Sequence, residues 1–191
     1  MEYLIIMLGS YFLGSIPFGF ILTKIFLKKD IRNIGSGNTG ATNVLRTGNK
    51  RVGYTTLVLD ITKAILPVIY IKFNYSDYIF IASLSVFLGH VFPVWLKFNG
   101  GKGVATYVGI LFSINLFYGF IFITSWLITF LISKYSSLSS IIASMMIPIY
   151  LLIFENYNSI FFITMFVLIF YTHKKNVKRL INKEESKTKI Y

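Results

Sequence analysis

Cysteine does not occur anywhere in the 191 residues. Disulfides, thiolate nucleophiles and Cys-ligated metal sites are therefore excluded. Acidic residues are scarce as well: seven Asp and Glu stand against nineteen Lys and Arg, with two His, for a formal charge of +12. Several reaction signatures are missing. There is no G-x-S-x-G elbow, and no histidine has an aspartate five residues on, since Trp95 follows His90 and Lys178 follows His173 at that distance. No cluster of aspartates offers a metal site, and no metal or cofactor is expected. The nucleotide-binding P-loop also fails, because Leu96 stands where its first Gly belongs and Gly103 follows Lys102.

Apolar sequence is abundant. The hydrophobic fraction is 55% and the mean hydropathy +0.68, above ordinary soluble values. About seven apolar segments are readable, at 3–27, 52–73, 78–96, 104–116, 118–133, 138–154 and 157–172. Most approach the roughly 20 residues that span a bilayer. This predicts an all-α integral membrane protein with seven transmembrane helices, the fourth short for a full crossing. Residues 1–27 have no basic start and end in Lys24, Lys28 and Lys29, so they read as a retained first helix.

Charge orients the spans. Lys28, Lys29, Arg32, Arg46, Lys50 and Arg51 share one loop; Lys97 and Lys102 share another; Lys134 marks a turn; and the tail holds Lys174, Lys175, Lys178, Arg179, Lys183, Lys187 and Lys189. With seven helices all fall on one side, leaving Glu2, Lys72, Asp77 and Glu155 opposite. The positive-inside rule then places the N-terminus outside and the C-terminus in the cytoplasm. A single multi-span domain, 1–191, with a short basic cytoplasmic tail at about 173–191 follows. The basic charge is read as attraction to anionic membrane lipid rather than to nucleic acid.

Two polar loops interrupt this chain. Residues 35–46 read GSGNTGATNVLR, and 99–106 read NGGKGVAT. In the second, Gly100, Gly101, Lys102 and Gly103 precede an apolar helix; glycines admit an anion to backbone N–H groups, a helix start adds partial positive charge, and Lys102 adds a full one. A flexible turn between helices is the plain alternative. In the first, Ser36, Asn38, Thr39, Thr42 and Asn43 carry hydroxyls and amides, and Arg46 carries a planar fork suited to phosphate. Helix and turn caps at Ser36, Asn38, Thr42 and Asn43 are the alternative there.

Polar residues inside the spans add to the candidates. Asp60 and Lys63 lie one helical turn apart and can pair, either tying helices together or touching substrate. His90 reads as a packing or hydrogen-bonding residue or as part of a site. His173, Asn176 and Arg179 share a similar face at the start of the tail, suited either to a phosphorylated substrate or to lipid headgroups.

The motifs GSIPFG (Gly14 to Gly19), GSGNTGATNVLR, GHVFPVWLKFNGGKGVAT (Gly89 to Thr106) and HKKNVKRL (His173 to Leu180) resemble, in order and over nearly the whole chain, the bacterial acyl-phosphate:glycerol-3-phosphate acyltransferase family, PlsY. The resemblance implies a seven-helix membrane fold with a cytoplasmic active site. It implies transfer of a fatty acyl group from acyl phosphate to the 1-hydroxyl of glycerol 3-phosphate, giving 1-acylglycerol 3-phosphate and phosphate. It also implies site residues. Ser36, Arg46, His173 and Asn176 match the catalytic positions; Asn38, Gly100, Gly101, Lys102, Gly103, Ser137 and Ser140 match substrate-binding ones; and Glu185, rather than Glu184, best matches the acid of the third motif. Asp60, Lys63 and His90 remain structural candidates. Lys174, Lys183 and Ala64 depart from the family's usual Arg, Gly and Gly.

Expected partners are acyl phosphate, glycerol 3-phosphate and membrane lipid, with the soluble acyl-phosphate synthase as a transient contact and no nucleic acid. The expected setting is the plasma (inner) membrane of a bacterium. A transporter of a phosphorylated metabolite is the rival reading, disfavoured because no repeated half with paired broken helices is visible. A lipid-binding scaffold is the other, and it leaves the two inner loops unexplained.

Overall fold

The structure is a computed structural model that describes residues 1–154 and 159–188. Glu155 and Lys189, which the charge pattern used, lie outside the described residues. Among those residues the regular structure is entirely helical. Ten α-helices follow in order: α1 (Glu2–Gly14), α2 (Phe18–Leu27), α3 (Ala41–Leu45), α4 (Lys50–Asn74), α5 (Ile79–Val91), α6 (Val104–Ile114), α7 (Leu116–Ser133), α8 (Ser136–Phe154), α9 (Ser159–Thr172) and α10 (Lys174–Ile181). The chain forms two compact units, Met1–Ile114 and Asn115–Tyr191.

In the first unit α4 is central, touching α1, α2, α3, α5 and α6, while α1 packs on α5. Gly14 and Gly89 make that α1–α5 crossing close: a Cβ on Gly14 would overlap the Val86 carbonyl, and one on Gly89 the Tyr11 carbonyl. Small residues at membrane helix crossings act this way. The first apolar segment breaks into α1 and α2 at Ser15–Pro17, where proline has no N–H to continue the ladder. Likewise, α5 stops before Phe92–Pro93, and a short 3-10 turn, Val94–Leu96, follows.

The short α6 ends at Ile114 with a dedicated cap. Lys72 Nζ donates to the carbonyls of Ser113 and Ile114, each at 2.9 Å. A lysine at a helix C-terminus meets both the unsatisfied carbonyls and the negative end of the helix dipole.

In the second unit α8 packs against α7 and α9. Tyr118 of α7 meets Phe162 of α9 edge-on at 5.5 Å, and within α7 Trp126 stacks on Phe130 at 4.8 Å. The last pair, α9 and α10, bends by 63° at His173.

Among the described residues four stretches are long and apolar enough to cross a membrane: Glu2–Leu27, Ser76–Leu96, Leu116–Ser133 and Ser136–Phe154; the bent α9–α10 pair brings the number to as many as five. Large apolar side chains face outwards, with Phe73, Ile132 and Ile160 about 80% exposed. Such surface is untenable in water and ordinary against lipid.

Candidate active site

The first loop is folded by one amide. Asn43, on α3, is buried, and its Oδ1 accepts from the Ser36 N–H at 3.0 Å. Its Nδ2 donates to the carbonyls of Ile34 and Asn38, each at 2.8 Å, and of Ile31 at 3.3 Å. These bonds let the loop turn back on itself, through Gly35 and Gly37 at φ values of 55° and 71° that favour glycine. Ser36 and Arg46 end up exposed. The Arg46 side chain runs past Gly35, where a Cβ would sit 3.2 Å from Nη1. Arg32, earlier in the chain, pairs with Asp30: its Nη2 lies 2.6 Å from Asp30 Oδ2. Hydrogen bonds from the Arg32 side chain, then from its backbone, hold the Asp30 carboxyl at about 2, below its usual 3.8.

Asn38 joins the two loops. Its Oδ1 accepts from Gly40 N–H at 2.9 Å, and its Nδ2 donates to the Gly100 carbonyl at 3.3 Å. In the second loop the N–H groups of Gly100 and Gly101 donate to the carbonyls of Val91 and His90, each at 3.0 Å. These two glycines therefore serve close packing against the end of α5. Gly103, at φ 84°, lies on the Phe87 ring, which a Cβ would overlap. Donors aimed outwards from this loop must come from further along, from the start of α6, whose first N–H groups have no partner within the helix. Lys102 stands just before that start, half-buried. The segment between α5 and this loop is anchored from α1 and the break after it, as Tyr11 Oη donates to the Phe92 carbonyl at 2.7 Å and Trp95 Nε1 to Ser15 Oγ at 2.9 Å.

Asp60, Lys63 and His90 are buried within the first unit. Lys63 Nζ lies 2.8 Å from Asp60 Oδ1, and His90 Nδ1 lies 3.7 Å from the same oxygen.

The second unit gathers its own polar group. His173, at the α9–α10 bend, is buried and donates from Nδ1 to the Ile169 carbonyl at 2.8 Å. A carbonyl only accepts, so this contact sets the tautomer with the proton on Nδ1. Glu185 folds back from the tail. Its Oε1 accepts from Ser137 Oγ at 2.7 Å and from Asn176 Nδ2 at 2.6 Å, while Oε2 accepts from Arg179 Nε at 2.6 Å. Burial pushes this carboxyl up, and hydrogen bonds from Asn176, Arg179 and Ser137 outweigh it, so it lies below its ordinary 4.5. Thr188 N–H closes the tail on the Lys134 carbonyl at 2.9 Å. Of the two candidate acids, Glu185 is the one built into this cluster; Glu184 is exposed. Ser140 is engaged with the Ser136 carbonyl at 2.8 Å and Trp126 Nε1 at 3.1 Å.

Sequence reasoning gave Asn43 no more weight than its polar neighbours, and it did not foresee the Asn38–Gly100 link or the Trp126–Ser140 bond. These contacts join residues up to 62 positions apart, and only the run of small polar residues hinted at them.

These features define a multi-pass membrane protein whose polar chemistry is concentrated in short basic loops and at one helix bend. The family model described as glycerol-3-phosphate acyltransferase matches residues 4–183. A glycerol-3-phosphate acyltransferase of Pelagibacter ubique (strain HTCC1062) is 80% identical over 191 residues, covering 100% of both chains. One from Bartonella henselae is 47% identical over 96% of this chain and 90% of its own. Among solved structures, PlsY (YgiH), an integral membrane glycerol 3-phosphate acyltransferase, superimposes in its glycerol 3-phosphate form with a TM-score of 0.92 at 33% identity, covering 98% of this chain and 96% of that one. Its lysophosphatidic acid form gives 0.88 at 33% identity, over 98% and 95%. The chain belongs to the glycerol-3-phosphate acyltransferase family of PlsY type, and it is an integral membrane glycerol-3-phosphate acyltransferase.

Proposed function

We propose that the acyl donor is acyl phosphate and that transfer to the 1-hydroxyl of glycerol 3-phosphate is direct. The observation that carries this is the Asn38–Gly100 hydrogen bond, which fastens the loop of Ser36 and Arg46 to the loop of Lys102. Two phosphate-bearing substrates need two cationic grips at a fixed spacing, and linked loops supply that. Lys102 and the start of α6 hold glycerol 3-phosphate; Ser36 and Arg46 attend the reacting centre. The PlsY structures are described as glycerol 3-phosphate and lysophosphatidic acid forms, the acceptor and the product of this reaction.

Acyl phosphate is a mixed anhydride and needs no covalent activation. The acceptor hydroxyl oxygen forms a bond to the acyl carbon, the carbon–oxygen bond to phosphate breaks, and phosphate departs with the electron pair. A substrate phosphate takes the hydroxyl proton. Positioning of this kind contributes about 7–11 kcal/mol in favourable cases, and Arg46 and Lys102 neutralise the developing charge. His173 and Asn176 are assigned to the same reaction as positioning groups, with Gly100, Gly101 and Gly103 shaping the second loop and Ser137 and Ser140 supporting the unit that carries His173.

The proposal includes seven spans in one multi-span domain, an external N-terminus, and an active site facing the cytoplasm of a bacterial inner membrane. The seven apolar segments and the one-sided basic loops support it. The fatty chain enters from lipid, and a soluble acyl-phosphate synthase is a transient partner. Purified protein given palmitoyl phosphate and glycerol 3-phosphate should release lysophosphatidic acid and phosphate in equal amounts. Product from acyl-CoA but none from acyl phosphate would refute the donor assignment.

A further inference from the structure

His90 is clamped between a buried ion pair and the second loop. Asp60 and Lys63 project from α4, His90 from the last turn of α5, and their exposures are 2%, 5% and 6%. Lys63 answers the Asp60 charge at 2.8 Å and also donates to the Ile16 carbonyl, in the break between α1 and α2, at 2.7 Å. The pair is thus neutral and anchored without the histidine. Yet the ring turns Nδ1 to Asp60, and its opposite edge lies under Gly101. A Cβ on Gly101 would overlap Nε2, with Cε1 and Cδ2 close behind. The same two residues also share a main-chain bond, Gly101 N–H to the His90 carbonyl at 3.0 Å. Ring and loop therefore exclude one another sterically while being tied together.

We propose that His90, oriented by Asp60, is a positioning residue for the acceptor phosphate: its ring sets the height and direction of the Gly101–Lys102 peptide beneath the anion. This rests on the reading that the second loop grips glycerol 3-phosphate. A buried imidazole filling space would stabilise the helices without selecting one substrate. A ring that sets this peptide changes the affinity for glycerol 3-phosphate and leaves that for acyl phosphate alone.

Two conservative variants separate the two edges of the ring. His90→Asn keeps a polar atom facing Asp60 and removes the edge under Gly101. His90→Gln places an amide near the Nε2 position and keeps the floor. Initial rates are measured for wild type, H90N, H90Q, G101A and the H90N/G101A double variant, varying each substrate, with thermal melting of every protein. The expected result is that G101A and H90N each raise the KM for glycerol 3-phosphate about tenfold, with the KM for palmitoyl phosphate and kcat little changed. H90Q stays near wild type. In the H90N background G101A has almost no further effect, because the methyl fills the vacated space, and this non-additivity is the mark of direct coupling. If G101A costs the same factor in both backgrounds, or H90Q is as impaired as H90N, or H90N lowers melting without moving that KM, the inference is overturned while the functional reading stands. Wild type that makes no lysophosphatidic acid, or G101A with a normal KM, overturns the reading and the inference with it.

Discussion

Replacing Asn43 by Asp should disable the enzyme without unfolding it. The carboxylate keeps an acceptor for the Ser36 N–H but removes the donor that reaches Ile34 and Asn38 at 2.8 Å. Losing the two shorter hydrogen bonds costs about 1 kcal/mol each, and losing the longer one to the Ile31 carbonyl at 3.3 Å, with the carbonyls left without a donor in a buried pocket, adds about another 1 kcal/mol. The loop's ordered state is then about 3 kcal/mol less favourable, roughly a hundredfold in its population if that state is marginal, since 1.4 kcal/mol is a factor of ten. Ser36 and Arg46 are carried by this loop, so turnover should fall by about the same factor. The α4–α6 and α1–α5 contacts are untouched, so melting should shift little. The assay is lysophosphatidic acid formation by detergent-purified, monodisperse protein, alongside its melting curve. Turnover within about threefold of wild type, well below the worked loss, would refute the view that Asn43 holds the loop in its working shape.

Other expectations follow from the same contacts. Arg46→Ala should nearly abolish turnover in folded protein, and Arg46→Lys should not restore it, because a point charge lacks the planar fork; a near-normal rate in either sinks the assigned role. The Glu185 carboxyl is held below its ordinary value by Asn176, Arg179 and Ser137 against burial. A depressed carboxyl pKa means the tail's clasp is complete above the ordinary 4.5 and loosens only as pH falls through the lowered value. Proteolysis of the tail against pH should show this, and Glu185→Gln should remove the dependence; an unchanged pH dependence in that variant contradicts it. Lys72→Met removes both charged hydrogen bonds capping α6, a loss of about 2 kcal/mol. It should lower melting by several degrees with kcat and KM intact; unchanged melting would show that the cap contributes nothing.

Helices were the most legible part of the chain, because apolar runs bounded by lysines and glycines carry their own signal. Segment 52–73 became α4 and segment 138–154 became α8, within a residue or two at each end. Breaks inside runs were harder to read. Segment 3–27 divides at Pro17, and segment 78–96 ends its helix at Val91 before Pro93. The polar loops were legible as loops, and their purpose was half legible. Gly100 and Gly101 suggested donors for an anion, whereas their N–H groups go to the end of α5. A glycine required for close packing and one required for a ligand look alike in sequence. The partners of Glu185 were equally hidden: Ser137 lies 48 residues away, a distance over which no local pattern acts. Asn43 shows the same limit, since an amide that folds a loop and an amide that binds substrate differ only in what surrounds them.

Direct transfer from acyl phosphate is the claim on which the rest depends, and a single-turnover experiment tests it. Protein is mixed with palmitoyl phosphate in the absence of glycerol 3-phosphate, released phosphate is followed, and the acceptor is then added. Direct transfer predicts no phosphate burst before the acceptor arrives, then one phosphate for each lysophosphatidic acid formed. A burst approaching one phosphate per protein, with the fatty chain retained on the polypeptide, would establish an acyl-enzyme and contradict it.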